Sequence, residues 1–265
     1  MENGTRATVR LAAVGDIHCT RESRGALAEL FAAAAREADI LLLAGDLTDY
    51  GLADEARVLA GELAGAHIPI VAVLGNHDFE SGREHEVAAI LTKAGVKVLD
   101  GDAVELLGIG FAGAKGFAGG FGAHALGSWG EPAIKAFVQA ALDEALKLET
   151  ALARIRTTDR VVLMHYAPTE ATVVGEPESI YPFLGSSRLE EPIDRFEPSM
   201  VIHGHAHHGS PEGTTRGGIP VYNVALPLLR AMDFEHPFRV LELPAHAPSD
   251  ELAIPAARAD TRLGH

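Results

Sequence analysis

Five short clusters follow one another along the chain. They are Asp16-Ile17-His18, Gly45-Asp46-Leu47-Thr48-Asp49, Gly75-Asn76-His77-Asp78, Met164-His165 and His203-Gly204-His205-Ala206-His207. Nearly every one comes directly after a short apolar run, so a carboxylate, an amide or an imidazole is delivered to the end of a strand. A mixed set of this kind, with no thiolate among it, suits Mn, Fe, Zn, Co or Ni. An oxygen-only magnesium or calcium cage would look different. Gathered at one point, the groups could hold two metal ions side by side, and the chemistry that follows is metal-assisted hydrolysis. Cys19, beside His18, could be read as a further ligand; a lone cysteine more commonly packs as a small buried hydrophobe, and that reading is preferred.

The elements that must position these groups read as an α/β chain. Val9 to Val14, Ile40 to Ala44, Ile70 to Leu74 and Val96 to Leu99 are strand-like runs. Between them Ser23 to Ala38, Asp54 to Ala64 and Glu84 to Ala94 carry helical pattern and propensity. The rhythm predicts right-handed crossovers and a mainly parallel sheet. Asp16, Asp46 and Asn76 are spaced 30 residues apart, the length of one βαβ unit, so three successive strands bring a polar residue to one sheet edge. Asp16 and His18, at i and i+2 in extended backbone, would face one side together. Glycines 45, 75 and 204 each precede a key residue, where sharp turns and close backbone approach are needed.

After Asp100 the character changes. Ala103 to Leu107 and Ile109 to Ala112 predict an antiparallel pair, and Glu131 to Arg156 a long helix. Arg160 to Met164 is a strand leading into His165. Met200 to His203, Pro220 to Val224 and Phe238 to Leu243 read as late strands of a second sheet. Residues 111–130 are Gly-rich, either a mobile loop or a lid at the site mouth, and 166–187 form a second long loop with three prolines. The expected organisation is a single domain over 1–243 with a peripheral tail from 244 to 265.

Each cluster alone is a weak signal, because Gly-Asp and Asn-His-Asp are also turn sequences and a single strand-end histidine is commonly structural. Turn chemistry does not explain all of them in one order. The chain resembles the calcineurin-like metallophosphoesterase superfamily, whose pattern D-x-H, G-D-x-x-D, G-N-H-D/E, H, G-H-x-H is met by Asp16/His18, Gly45 to Asp49, Gly75 to Asp78, His165 and Gly204 to His207. The resemblance spans about Val9 to Val224. It implies a two-sheet β-sandwich flanked by helices, a four-layer αββα fold. It also implies two divalent or trivalent transition-metal ions, Mn, Fe or Zn. Carried over by position, Asp16, His18, Asp46 and His207 would hold one ion. Asp46, Asn76, His165 and His205 would hold the other, with Asp46 bridging. His77 would protonate the leaving oxygen or contact the phosphate, and Asp49 would orient His77. The implied reaction is in-line attack on a small phosphate ester by a hydroxide bridging the metals.

The departures narrow the substrate. Ser/Thr protein phosphatases of this superfamily carry Arg after the second Asp of G-D-x-x-D and Glu after Asn-His; here Tyr50 and Asp78 stand there. Loss of that cation leans towards a diester over a dianionic monoester. The string looks most like bacterial cyclic-nucleotide phosphodiesterase-type members. A phosphomonoesterase or nucleotide pyrophosphatase is the alternative, favoured if loop residues supply a cationic pocket. A non-catalytic scaffold should have lost ligands, and none is missing. His203 reads as the end of a buried strand and His208 as a neighbour of the metal ligands. Lys115 and His124, in the Gly-rich segment, could touch substrate, but the solvated-loop reading is preferred. His67, His85, His236, His246 and His265 match no motif.

Composition sets the outer limits. The chain has 265 residues, 47% apolar and 6% aromatic, with a formal charge of −15, a globular profile of ample core. The acidity disfavours a nucleic-acid partner and adsorption to anionic lipid. It does not disfavour a phosphate substrate, because bound cations dominate the local field of a site. One cysteine fits a reducing compartment, and neither an apolar leader nor a membrane span is evident. The expectation is therefore a cytoplasmic protein, with 166–187 and the tail leaving a homo-oligomer open.

Overall fold

Alternating helices feed short apolar strands into two sheets that face each other. The computed structural model describes residues 8–232 and 236–245. In chain order come β1 (Thr8–Val14), α1 (Ala28–Glu37), β2 (Ile40–Ala44), α2 (Ala53–Leu63), β3 (Ile70–Val73), α3 (Glu84–Lys93), β4 (Lys97–Val98), β5 (Asp102–Leu106) and β6 (Ile109–Gly113). These are followed by α4 (Pro132–Arg154), β7 (Asp159–Leu163), α5 (Tyr181–Leu184), α6 (Glu190–Phe196), β8 (Met200–His203), β9 (Glu212–Thr214), β10 (Pro220–Asn223), α7 (Leu226–Ala231) and β11 (Arg239–Pro244). The first sheet has the order β11-β1-β2-β3-β4 and the second β5-β6-β7-β8-β10-β9. β1 to β4 are parallel, as are β6, β7, β8 and β10. Antiparallel strands close three of the four edges.

The pleat decides the layers. Along β7, Val161 and Leu163 enter the core shared with the first sheet, while Val162 packs with Leu148, Leu152 and Ile193 of α4 and α6. Side chains alternate faces with a period of two, so one strand supplies two interfaces. Phe31, Leu59 and Leu91 of α1 to α3 cover the first sheet. The result is the αββα sandwich that the resemblance implied. β2 is buried at all five positions, as a parallel strand covered on both faces must be.

Several elements differ from their sequence reading. α1 starts at Ala28 rather than Ser23. The carboxylate of Glu62, from α2, accepts the N–H groups of Gly25, Leu27 and Ala28 at 2.7–2.9 Å and fixes the chain there in a turn. The last strand joins the first sheet, not the second. β11 lies antiparallel to β1, with Thr8 opposite Pro244, because Leu241 and Leu243 face the core on alternate positions while Glu242 faces out. Pro244 is thus sheet and not tail. Residues 246–265 of the expected tail, His246 and His265 with them, lie outside the described residues. The Gly-rich segment is only partly a loop. Residues 111–113 belong to β6, and Ala114, Ala118 and Phe121 are buried, which leaves 122–130 as the exposed stretch. β9, α6 and α7 are too short to show a period in sequence.

One buried carboxylate ties the ends of β2 and β3 together. Asp78 is fully buried and accepts from Leu47 N at 3.1 Å, Thr48 N at 2.8 Å, Thr48 Oγ1 at 2.6 Å and Gly75 N at 2.8 Å. Burial pushes its carboxyl above the ordinary range, against the hydrogen bonds that favour ionisation. All four neighbours are donors, so the ionised form is the one this site accommodates. Asp78→Ala leaves those donors buried without an acceptor and is expected to cost roughly 3 kcal/mol or more. Urea unfolding measures this, and a change under about 0.5 kcal/mol would show that Asp78 is not the clamp.

Candidate metal centre

The strand ends of both sheets meet along one edge. β1, β2 and β3 bring Asp16 and His18, Asp46 and Asp49, and Asn76 and His77; β7 and β8 bring His165, His205 and His207. The approach is not by extended backbone as the i, i+2 spacing suggested. Asp16, His18, Asp46 and His205 all have left-handed φ, at 54°, 47°, 48° and 70°. Asp and His tolerate this region better than most residues, yet each such residue costs on the order of 1–3 kcal/mol, strain that gathers at functional sites. The three glycines give the room predicted for them. A Cβ on Gly45 would lie 2.5 Å from His165 Nδ1, on Gly75 2.1 Å from Asp46 Oδ1, and on Gly204 2.3 Å from Asp16 Oδ2.

Asp16, Asp46 and His165 are 2%, 1% and 0% exposed. Donor atoms of Asp16, Asp46, His165 and His205 lie within 4.8 Å of one another, and so do those of Asp16, His18 and His207. Asp16 stands in both groups. Its carboxylate meets His207 Nε2 at 2.9 Å and accepts the His205 main-chain N–H. Asn76 joins through Oδ1, 2.9 Å from His165 Nε2. His18, Asp49 and His77 form a third group at the rim. There Asp49 meets both rings. Its carboxylate lies 3.1 Å from His18 Nδ1, whereas His77 Nδ1 is held at 2.8 Å by its main-chain carbonyl.

Two nitrogens test whether cations belong here. A carbonyl only accepts, so His165 Nδ1–H donates to Ala44 O at 3.0 Å. In the neutral ring Nε2 then turns a lone pair towards Asn76 Oδ1 and, at 3.3 Å, Asp46 Oδ1. His18 Nε2 is buried with no hydrogen-bond partner and lies 3.7 Å from Asp46 Oδ2. Lone pairs held against oxygens need a positive charge between them. The residues therefore fit metal ions, with imidazole, carboxylate and amide donors of the right kind.

Without metal, a proton takes that place. Burial alone would lower His165, but the Asp46 charge and hydrogen bond raise it to about 9. Burial likewise acts to raise Asp46, yet His165 and the His77 N–H hold it well below the usual carboxylate range. Burial and the His165 charge push His205 down to about 3, while the bond to Asp16 raises His207. His203 ends a buried strand as read, with Nε2 2.8 Å from Thr172 Oγ1, and burial lowers it to about 4. His208 is exposed, and its main-chain N–H donates to Glu176. Cys19 is buried and raised to about 11 by burial, in keeping with a packing role. His67 and His85 are exposed, and so is His124.

Two neighbours stand differently from the sequence reading, which did not single out Tyr166 and preferred a solvated Lys115. The Tyr166 ring packs 4.4 Å from His205 and 5.5 Å from His165, ring centroid to centroid. Lys115 is not a solvated loop residue: it is half-buried, and burial lowers its ammonium below the ordinary lysine range. Adjacency to His165 was the only clue to Tyr166, and nothing in the Gly-rich string marked Lys115 as packed.

Two facing sheets with a carboxylate and imidazole cluster at their common strand-end edge define a metallophosphoesterase. The family model for calcineurin-like phosphoesterases matches residues 9–209, and the chain belongs to that family of hydrolases. No match to a curated protein was found. Among solved structures, phosphopantetheinyl hydrolase from Mycobacterium tuberculosis superposes with a TM-score of 0.65 at 15% identity, over 91% of this chain and 99% of that one. TT1561 of Thermus thermophilus gives 0.52 at 17% identity, over 90% and 100%. GAP50, the anchor in the inner membrane complex of Plasmodium, gives 0.52 at 12% identity, over 84% and 73%. At such identities the likeness shows the fold alone. No helix among the described residues is long and apolar enough to cross a membrane.

A metal ligand must give up its proton, and His165 titrates near 9 in the metal-free fold. Loading chelator-stripped protein with Mn at pH 7 is therefore expected to release about one proton from His165. Calorimetry in buffers of different ionisation enthalpy reads this, and uptake with no proton release would contradict the assignment of His165. Metal at 100 times its dissociation constant should also stabilise the fold by about 2.7 kcal/mol. Thermal unfolding should show that gain in the wild type and lose most of it in Asp46→Asn.

Proposed function

We propose that this chain hydrolyses a small phosphodiester, with a cyclic nucleotide as one candidate, at a dinuclear transition-metal centre. One ion would be held by Asp16, His18, Asp46 and His207 and the other by Asp46, Asn76, His165 and His205. The observation that carries the reading is the pair of imidazole nitrogens, on His18 and His165, that face carboxylate and amide oxygens. When bound, such metals neutralise the non-bridging phosphate oxygens and lower the pKa of coordinated water.

The chain's own residues supply orientation and the leaving-group proton. His77 is 40% exposed at the side chain, and its Nδ1–H is given to the Asp49 carbonyl. Nε2 is thus the nitrogen that can exchange a proton with the leaving oxygen, a role typically worth 10²–10⁴-fold. The Asp46 carboxylate accepts the His77 main-chain N–H at 2.9 Å, so the ligand cluster and the proton donor are fixed to each other.

Diester preference rests on charge. Tyr50, 57% exposed, gives this rim no guanidinium for a dianionic monoester. A phosphomonoesterase or nucleotide pyrophosphatase is the second reading, favoured by the half-buried ammonium of Lys115. GAP50 is named as an anchor, but a non-catalytic role for this chain has to explain why every ligand position is retained.

After chelation and Mn restoration, bis-p-nitrophenyl phosphate is expected to turn over about tenfold faster than p-nitrophenyl phosphate. His77→Ala should lower kcat by about 10²-fold or more, and Asp46→Asn should abolish turnover. A monoester preference would promote the second reading. Metal-loaded protein inert on both esters would sink the hydrolytic one.

A further inference from the structure

The G-D-x-x-D motif offers no cation, but a cation stands nearby on a rigid support. The Lys115 carbonyl accepts the main-chain N–H groups of both His165 and Tyr166, at 3.0 and 3.1 Å. The next residue, Gly116, has φ 77° and donates its N–H to the buried Glu144 at 2.9 Å. A Cβ there would meet Leu189 and Tyr166 at 3.0 and 3.2 Å. The backbone that carries Lys115 is thus locked to the strand end that carries His165.

Its side chain is held just as specifically. Nζ lies 5.2, 5.0 and 5.1 Å from the ring centroids of Phe79, Phe117 and Tyr166. One of those rings reaches the metal centre, since Tyr166 packs on His205, and Phe79 follows His77 and Asp78 on the same short turn. Cation–π contacts orient an ammonium without neutralising it. Nζ donates to Gly116 O at 2.9 Å, and no ion pair to a carboxylate forms at this nitrogen among the described residues. Glu84, Asp100 and Asp102 line the cavity beside Lys115, and of these Glu84 has no lysine or arginine partner among the described residues. Lys147 binds Asp100 and Glu144, and Arg154 binds Asp102. A desolvated ammonium with donors to spare is a site for an anion.

We infer that Lys115 is a specificity-determining residue, whose ammonium receives an anionic group carried by the substrate beyond the scissile phosphate. The preferred substrate is then a phosphodiester one of whose alcohols bears a second phosphate or carboxylate. This rests on the phosphoesterase reading of the metal centre and deepens it. The single ring of Tyr166 spans the distance from Nζ to the His205 imidazole, a gap that suits a second charge several ångströms from the reacting phosphorus and not on it.

Matched probes test it: the 4-nitrophenyl ester of thymidine 5′-phosphate, and the same ester carrying a 3′-phosphate. With Mn present, the wild type is expected to favour the 3′-phosphorylated ester on the order of tenfold in kcat/KM, through KM, the size of one charge-assisted hydrogen bond. Lys115→Met keeps the apolar stem among the three rings, so fold and metal content should persist while the preference disappears. Turnover of the simpler ester should be unchanged. Lys115→Arg should retain most of the preference. An equal preference in wild type and Lys115→Met would overturn the inference, as would a wild type that does not favour the extra phosphate. Equal losses on both probes would mark Lys115 as structural and overturn it too. If metal-loaded wild type cleaves neither ester, the phosphoesterase reading itself fails and takes this inference with it.

Discussion

Two carboxylates, Asp16 and Asp46, are buried almost completely at the seam where the strand ends of the two sheets meet. Taking a charge out of water costs several kcal/mol even after relaxation, so it persists only beside partners that neutralise it. Everything around the seam can be read as a response to that constraint. The imidazoles of His165 and His207 approach the two carboxylates, main-chain N–H groups of His77 and His205 point at them, and glycines clear space for both. The remaining mismatch, nitrogens facing oxygens, is the part that only a cation resolves.

Holding that arrangement requires a frame stiffer than the site. The left-handed residues at positions 16, 18, 46 and 205 would relax if their loops were free. They are instead pinned by groups with no chemistry of their own. Asp78 binds the loops after β2 and β3, Thr172 holds His203, and Asn223 donates to Ala206 O at 2.7 Å. Core burial in two packed sheets supplies the stability that offsets this local strain. The flanking segments follow the same logic: the Gly-rich run is glycine-rich through Gly116 because the chain must turn tightly against Tyr166 and Leu189, not because it is loose.

Much of this was legible in the residues. The strands ending before Asp46 and Asn76 are continuous apolar runs, and such runs are read reliably because burial on both faces leaves no other pattern. The 30-residue spacing told that three strands share an edge. The helix start at Ala28 was not legible, because a carboxylate 34 positions away on α2 decides it. Nor was the sheet to which β11 belongs, since an alternating strand fits either edge and only packing chooses. Lys115 looked like any polar residue among glycines.

By itself the sequence determined which chemistry was available: the donor types, their order, their placement at strand ends and the glycines that let backbones approach. These are local properties, set by residue identity and by the periods of strand and helix. The tertiary structure alone decided which atoms meet. It made Asp16 a member of both ligand groups, turned the Asp49 carboxylate to His18 and its carbonyl to His77, and brought Lys115 to the edge of the centre through Tyr166. Those outcomes depend on left-handed turns and on contacts between residues far apart in the chain, and no spacing rule encodes the direction in which a side chain finally points.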